Sequence, residues 1–143
     1  MKKNIALVCT IIIIVALFSS CKKGDTNPIV GKWNANKTVT VHYQNGILMD
    51  KDTSLYDENK KGVINFASNG TGTTFYTEGG VDETSNFTYK ATGDKLNIYH
   101  DGDTSIYNTN FINNNELNLS QTYESEQQDI IYKWEYTIFL TRQ

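Results

Sequence analysis

Cysteine is nearly absent from this 143-residue chain: Cys9 and Cys21 are the only two, and Cys9 lies inside an apolar run near the amino terminus. Once that run is removed a single thiol remains. An intrachain disulfide is then excluded, and there is no basis for a thiolate metal site or a cysteine–histidine dyad. Arginine occurs once, at Arg142, and no basic cluster lies beyond the first three residues, which argues against nucleic acid as a partner. Proline also occurs once, at Pro28. Past it no stretch has helical spacing, so no crossover helix is available to join parallel strands. The apolar run from Ile5 to Phe18 falls short of the roughly 20 residues that a membrane helix needs.

Residues that carry chemistry are sparse as well. The two histidines, His42 and His100, are far apart, and no Gly-x-Ser-x-Gly or His-Glu-x-x-His arrangement occurs. Asp101-Gly102-Asp103 brings two carboxylates together, but a hairpin turn accounts for them and a calcium loop needs more ligands. No catalytic residue, metal ligand or cofactor is assigned.

What is present begins with the leader. Met1-Lys2-Lys3-Asn4 is a short basic start, Ile5 to Phe18 is apolar, and Ser19-Ser20-Cys21 supplies two small residues before a cysteine. That order is a secretory signal peptide over residues 1–20. The cysteine after the small pair resembles the lipobox of bacterial lipoproteins, although Phe18 stands where leucine is usual and Leu17 is one step out. The resemblance implies cleavage before Cys21, acylation of its thiol and a membrane partner through that lipid. Lys22, where aspartate would argue for retention in the inner membrane, favours the outer membrane; which face is left open. The alternative is an ordinary cleaved signal peptide with a free Cys21. A lone leftover cysteine in a secreted chain needs a reason, and lipidation supplies one.

Residues 21–28 then form the lipidated cysteine and a polar tether, and residues 29–143 form one domain. Two of the thirteen lysines and arginines lie in the leader, leaving eleven against sixteen acidic residues, so the remainder is mildly acidic. Its pattern is period two. Trp33, Ala35, Val39, Val41 and Tyr43 share one parity and Lys32, Asn34, Asn36, Thr38, Thr40 and His42 the other; Tyr132, Trp134, Tyr136, Ile138 and Leu140 alternate in the same way. Each such run is a strand with one buried and one wet face, which places His42 on the wet face. Turn signals at Asn45-Gly46, Asn59 to Gly62, Asn69-Gly70, Gly79-Gly80, Gly93-Asp94, Asp101-Gly102, Asn113 to Asn115 and Ser125 to Asp129 predict an all-β antiparallel up-and-down meander.

Turn lengths fix which residues oppose one another. A two-residue loop at Gly93-Asp94 sets Ala91 against Leu96, Tyr89 against Ile98 and Phe87 against His100. One at Asp101-Gly102 sets Ile98 against Ser105 and Leu96 against Tyr107, and a three-residue loop at Asn113 to Asn115 sets Phe111 against Leu117, Thr109 against Leu119 and Tyr107 against Gln121. Opposed residues share a face, so four strands agree on one interior set. The first hairpin agrees less well: a two-residue loop at Asn45-Gly46 puts Asp50 opposite Val41 and Asp52 opposite Val39, on the face assigned to the interior, together with Lys37. Either these three line a site for a charged ligand, or a longer loop, a bulge or an overshooting tip takes them into water; unpaired buried carboxylates are costly, which favours the second.

With these residues in view, the chain resembles the lipocalins, and in particular a bacterial lipocalin-like domain found on lipoproteins. Gly31-Lys32-Trp33 is similar to the glycine-x-tryptophan motif, Phe66 to Gly72 carries an aromatic before Asn-Gly-Thr-Gly, Gly93 to Leu96 is a Gly-Asp-Lys-Leu turn, and Leu140-Thr141-Arg142 ends the domain. The resemblance spans Val30 to Arg142 and implies an up-and-down barrel around a small apolar pocket, closed at one end by Arg142 over Trp33 beside Gly31, with small-molecule binding or transport as the role; the strand-like segments give that barrel eight to ten strands. Packing of a cation on a ring is by itself sufficient reason for that closure. Nine strand-like segments are counted, whereas a closed antiparallel barrel needs an even number. Either the long first segment bends into two strands, or a short one, Gly72 to Thr77, is not separate, or the fold is an open, gapped barrel or a sandwich.

Inward residues near the closed end are apolar: Ala91, Leu96, Phe111, Leu117, Ile138 and Leu140. The candidate mouth and pocket are therefore Phe87, His100, Ser105, Tyr107, Gln121, Tyr123, Tyr132 and Trp134. Small-ligand sites combine apolar walls with a few placed polar groups, and a filled core is an equal possibility in a barrel this narrow. Three functions follow: first, a lipid-anchored barrel that binds a small hydrophobic or amphipathic molecule; as the alternative, a non-catalytic interaction or inhibitor module using outward residues such as Tyr99, Ile106 and Phe139; and last, disfavoured by the missing catalytic motifs, an enzyme using His100 with a tyrosine.

Overall fold

Alternation of apolar and polar residues, punctuated by residues that accept positive φ, produces nine antiparallel strands among the described residues. A computed structural model describes residues 27–143, so the leader and Cys21 lie outside the described residues. The strands are β1 Gly31–Gln44, β2 Ile47–Leu55, β3 Lys60–Phe66, β4 Thr71–Glu78, β5 Val81–Thr92, β6 Lys95–His100, β7 Asp103–Asn113, β8 Glu116–Gln127 and β9 Ile130–Arg142. Tight turns at Asn45-Gly46, Gly79-Gly80, Asp101-Gly102 and Gln128-Asp129 have both central residues at positive φ. That backbone twist matches the twist of the strands they join.

Eight of the strands close into a barrel. Neighbours in sequence pair from β3 to β9, and β1 bridges the ends, pairing with β9 along one edge and with β3 through residues 31–34 on the other. The ninth strand, β2, pairs among the described residues only with β1, through residues 37–44, and lies outside the ring. The even count is thus reached in a way the sequence did not suggest: Gly72 to Thr77 does belong to a separate strand, β4, and β1 remains one strand, but it changes partner halfway along an edge.

That change of partner coincides with a bulge. In the β1–β9 ladder Ala35 opposes Leu140 and Lys37 opposes Phe139, which leaves Asn36 unopposed. The Asn36 carbonyl accepts a hydrogen bond from the Tyr56 amide at 2.9 Å, just after β2 ends. A bulge adds one residue to one strand and so reverses the facing of everything beyond it. Trp33 and Ala35 point inward as expected. Beyond Asn36 the inward set is Thr38, opposite Ile138, then Thr40 and His42, opposite Trp134. Thr38 is buried. The expectations that His42 sits on the wet face and that Val39, Val41, Tyr43 and Lys37 face the interior are therefore corrected: Lys37 lies on the outer face with its ammonium 4.5 Å from the centre of the Phe139 ring.

A second bulge, at Met49, shifts the first hairpin. Asp50 opposes His42 and Asp52 opposes Thr40, not Val41 and Val39. Both aspartates are exposed, on a hairpin that runs past the ring. The other hairpin expectations hold in register, with Ala91–Leu96, Tyr89–Ile98, Ile98–Ser105, Leu96–Tyr107, Phe111–Leu117 and Thr109–Leu119 all opposed. At Asn113 to Asn115 the same register is reached by a two-residue turn plus an unopposed Ile112. The ladders stop one pair short of Phe87–His100 and of Tyr107–Gln121. Beyond that point β8 pairs with β9 alone, and β8, β9, β1 and β2 continue as a four-stranded wing above the ring.

The core fills the end of the barrel opposite the wing. Ile29, Trp33, Phe66, Phe87, Leu96, Leu117, Leu119 and Leu140 are all buried, and Ala91, Phe111 and Ile138 pack against them. Phe66 meets Phe87 and Tyr89 edge-on, with ring centres 5.5 and 5.0 Å apart. Gly72, between these rings, has no room for a side chain: a Cβ there would come within 2.2 Å of Phe87.

Candidate functional site

The base of the barrel is sealed by Arg142. Its Nε donates to the Asn114 carbonyl at 2.9 Å, Nη1 to the Val30 carbonyl at 2.8 Å and Nη2 to the Pro28 carbonyl at 2.6 Å. The guanidinium lies 4.3 Å from the centre of the Trp33 ring, and Trp33 Nε1 donates to the Ile29 carbonyl at 2.8 Å. Gly31 has φ of +134°, and a Cβ there would fall 2.5 Å from Arg142 Nη1. The glycine therefore serves both the backbone conformation and the approach of the guanidinium. These contacts bring Gly31, Trp33 and Arg142 into one closure, as the resemblance implied.

Above the core lies a cavity of about 300 Å³, lined by Ile64, Thr74, Ser85, Phe87, Ile98, His100, Ser105, Tyr107, Leu119 and Ile138. Four of the eight candidate residues, Phe87, His100, Ser105 and Tyr107, line it. Its lower wall is apolar and its upper wall carries hydroxyls, with His100 partly exposed at the rim and its Nδ1 3.3 Å from Asp101. Tyr107 is held above the ordinary tyrosine pKa by burial, with nearby Tyr123 and Tyr136 acting in the same direction and a hydrogen bond with Ser105 opposing it. Burial likewise raises Tyr136, with nearby Tyr56 acting in the same direction and Thr38 opposing it. Both phenols therefore stay neutral and available as hydrogen-bond groups.

The other four candidates, Gln121, Tyr123, Tyr132 and Trp134, do not line the cavity. They occupy the same inward-facing rows of β8 and β9, but higher, where those strands form the wing. Trp134 stacks on His42 with ring centres 5.0 Å apart and planes 3° from parallel, and Tyr132 completes the stack at 5.9 Å from Trp134. Tyr123, opposite Trp134, is 53% exposed. His42 Nε2 is buried without a hydrogen-bond partner among the described residues. The sequence had separated His42 from this group because nothing in its composition announces the bulge at Asn36.

A polar cluster also missed from sequence lies beside the cavity. Lys60 and Glu78 oppose one another on the inner faces of β3 and β4, with Nζ and Oε1 3.2 Å apart. Tyr76 donates to the other Glu78 oxygen. Hydrogen bonds with Tyr76 and then with Lys60 hold the Glu78 carboxyl below its ordinary range, and hydrogen bonds with Tyr76 and Glu78 hold the Lys60 ammonium above its own. Tyr56 enters from the β2–β3 connection and packs over Gly62, where a Cβ would come within 2.7 Å of its ring. Thr74, Ser85 and Ile64 could have been placed from the parity of Phe66, Gly72 and Phe87. Tyr56 could not, because it lies between strands. Among the described residues no three His, Cys, Asp or Glu side chains converge to hold a metal ion.

An eight-stranded antiparallel barrel with a sealed base, an arginine over the entry tryptophan and a cavity open at the far end defines the lipocalin-like class of binding fold. The chain belongs to the lipocalin-like domain family, whose family model matches residues 29–119. No curated protein matches the sequence. The match covers strands β1 to β7 and most of the cavity wall, and the class is one of small-hydrophobic-ligand binding.

Proposed function

We propose that this protein holds a small hydrophobic or amphipathic molecule in its barrel and does so at the bacterial cell envelope, tethered through a lipid on Cys21. The observation that carries the reading is the cavity of about 300 Å³ over a sealed base, apolar below and hydroxyl-bearing above. At about 30 Å³ for a water-sized group, it accommodates about ten non-hydrogen atoms, which is a short acyl chain or a small aromatic compound. Ser105 stands on its wall, and the wing residues Tyr123, Tyr132 and Trp134 form an aromatic approach above it. For the anchor, the support is the leader and the lipobox-like Ser19-Ser20-Cys21. The resulting carrier would sit on the outer membrane.

Ser105→Trp tests the pocket. It should abolish uptake of a ten-carbon probe such as decanol by the full chain while leaving the far-ultraviolet circular dichroism unchanged. Uptake equal to that of the unmodified protein would refute the assignment.

A second reading, as an interaction module, has one observation in its favour. Ile47, Leu48 and Met49 at the tip of the β1–β2 hairpin are each more than half exposed, and Ile131 is beside them. Asn45 ties the two hairpins together, its amide donating to the Ile131 carbonyl and its Oδ1 accepting from the Ile131 amide. The wing therefore ends in an apolar tip suited to contact with a protein surface.

A further inference from the structure

The inner face of the barrel distributes charge unequally, and that asymmetry selects among the ligands the cavity can hold. Resting on the reading of the cavity as a binding site, we infer that its ligand is a cation with an apolar tail or ring, and that anionic amphiphiles such as fatty acids are disfavoured.

Only two of the described cationic side chains lie on inward rows, and both are already engaged. Arg142 is fixed in the base by three carbonyls and the Trp33 ring. Lys60 is paired with Glu78. His100, at the rim, is matched by Asp101. An incoming carboxylate would therefore meet no free lysine or arginine, and only wall hydroxyls and the His42 ring could replace its hydration. The remaining lysines of the strands sit on the opposite parity: Lys37 is over Phe139, Lys133 pairs with Glu135 at 2.6 Å, and Lys95 bonds to Asn108.

Carboxylates on the inward rows are placed differently. Glu83 precedes Ser85 by two residues on β5, and Asp103 precedes Ser105 by two on β7. Both serines line the cavity. Each acid is thus one pleat repeat, about 7 Å, above the cavity wall on the same face. Neither has an ion-pair partner among the described residues. Glu83 opposes Tyr76, and Asp50 and Asp52 add further negative charge on the inner face of the wing. Tyrosine rings beside carboxylates attract an ammonium group through both their faces and the neighbouring charge. Seated tail-down, a ligand of about ten carbons would bring its head group to this level.

The test compares three probes of equal chain length by calorimetric titration of the full chain at low ionic strength: decyltrimethylammonium, decanol and decanoate. The expected result is binding of all or the first two, with the ammonium at least about tenfold tighter than decanoate and the gap narrowing as salt is raised. In the Glu83→Gln, Asp103→Asn double variant, decanol binding should persist while the preference for the ammonium collapses. Decanoate binding as tightly as the ammonium, with decanol also bound, would overturn the charge inference and leave the cavity reading intact. No binding of any probe would overturn the cavity reading itself, and with it this one. An ammonium preference unchanged in the double variant would overturn the assignment to Glu83 and Asp103.

Discussion

Gly31 and Arg142 show how single residues decide the closed end. The guanidinium makes three directed hydrogen bonds that lysine cannot reproduce, because an ammonium is a point charge without the planar fork. Arg142→Lys should therefore lower stability by about 2 kcal/mol, the loss expected when charged hydrogen bonds are removed, read as a lower urea midpoint with an unchanged slope. If the cation–ring contact alone mattered, lysine would retain most of the stability.

At the scale of elements, the bulge at Asn36 matters most, since it reverses the facing of half of β1. Two neighbouring substitutions separate the observed facing from the one that the alternation of the sequence suggests. Thr38 is inward and buried, so Thr38→Lys should cost about 3 kcal/mol or more by placing a charge against Ile138. Val39→Lys, on the outer face, should cost about 1 kcal/mol, the loss of a partly buried side chain. Thermal melts of the two variants would give the reverse order if β1 alternated without interruption. The β2 edge carries its own protection. Among the described residues it is unpaired on its outer side, yet Asp50, Lys51 and Asp52 occupy its middle, and an antiparallel copy would set like charges against one another.

For the molecule as a whole, the partly buried phenols link stability to pH. Tyr107, Tyr136, Tyr56 and Tyr89 are all raised from 10.0, chiefly by burial. A raised folded value means the native state holds its protons longer than the unfolded chain. The stabilisation is then fully present below pH 10.0 and is lost as pH rises from there through the raised folded values. The melting temperature should fall across that range, and Tyr107→Phe should make the fall shallower. An equally steep decline in the variant would show that Tyr107 contributes nothing to it.

Much of this architecture is legible in the sequence, and the legible part is local. Turn chemistry at Gly93-Asp94, Asp101-Gly102 and Asn113 to Asn115 set the register of β5 to β8, because a short turn leaves few ways to align the strands it joins. From that register Phe87, His100, Ser105 and Tyr107 fell on one inner surface, and the closure by Gly31, Trp33 and Arg142 followed from the family resemblance. The rest depended on contacts between residues distant in sequence. Closing the ring makes β1 exchange β2 for β3 along one edge, and the bulge at that exchange carried His42 to the inside beside Trp134. Tyr56 entered the barrel through the same junction, and β8 and β9 outran β7 to raise Tyr123, Tyr132 and Trp134 above the cavity. Local spacing determines which residues a strand can present together; where a barrel must close on itself, the geometry of closure determines which way they face.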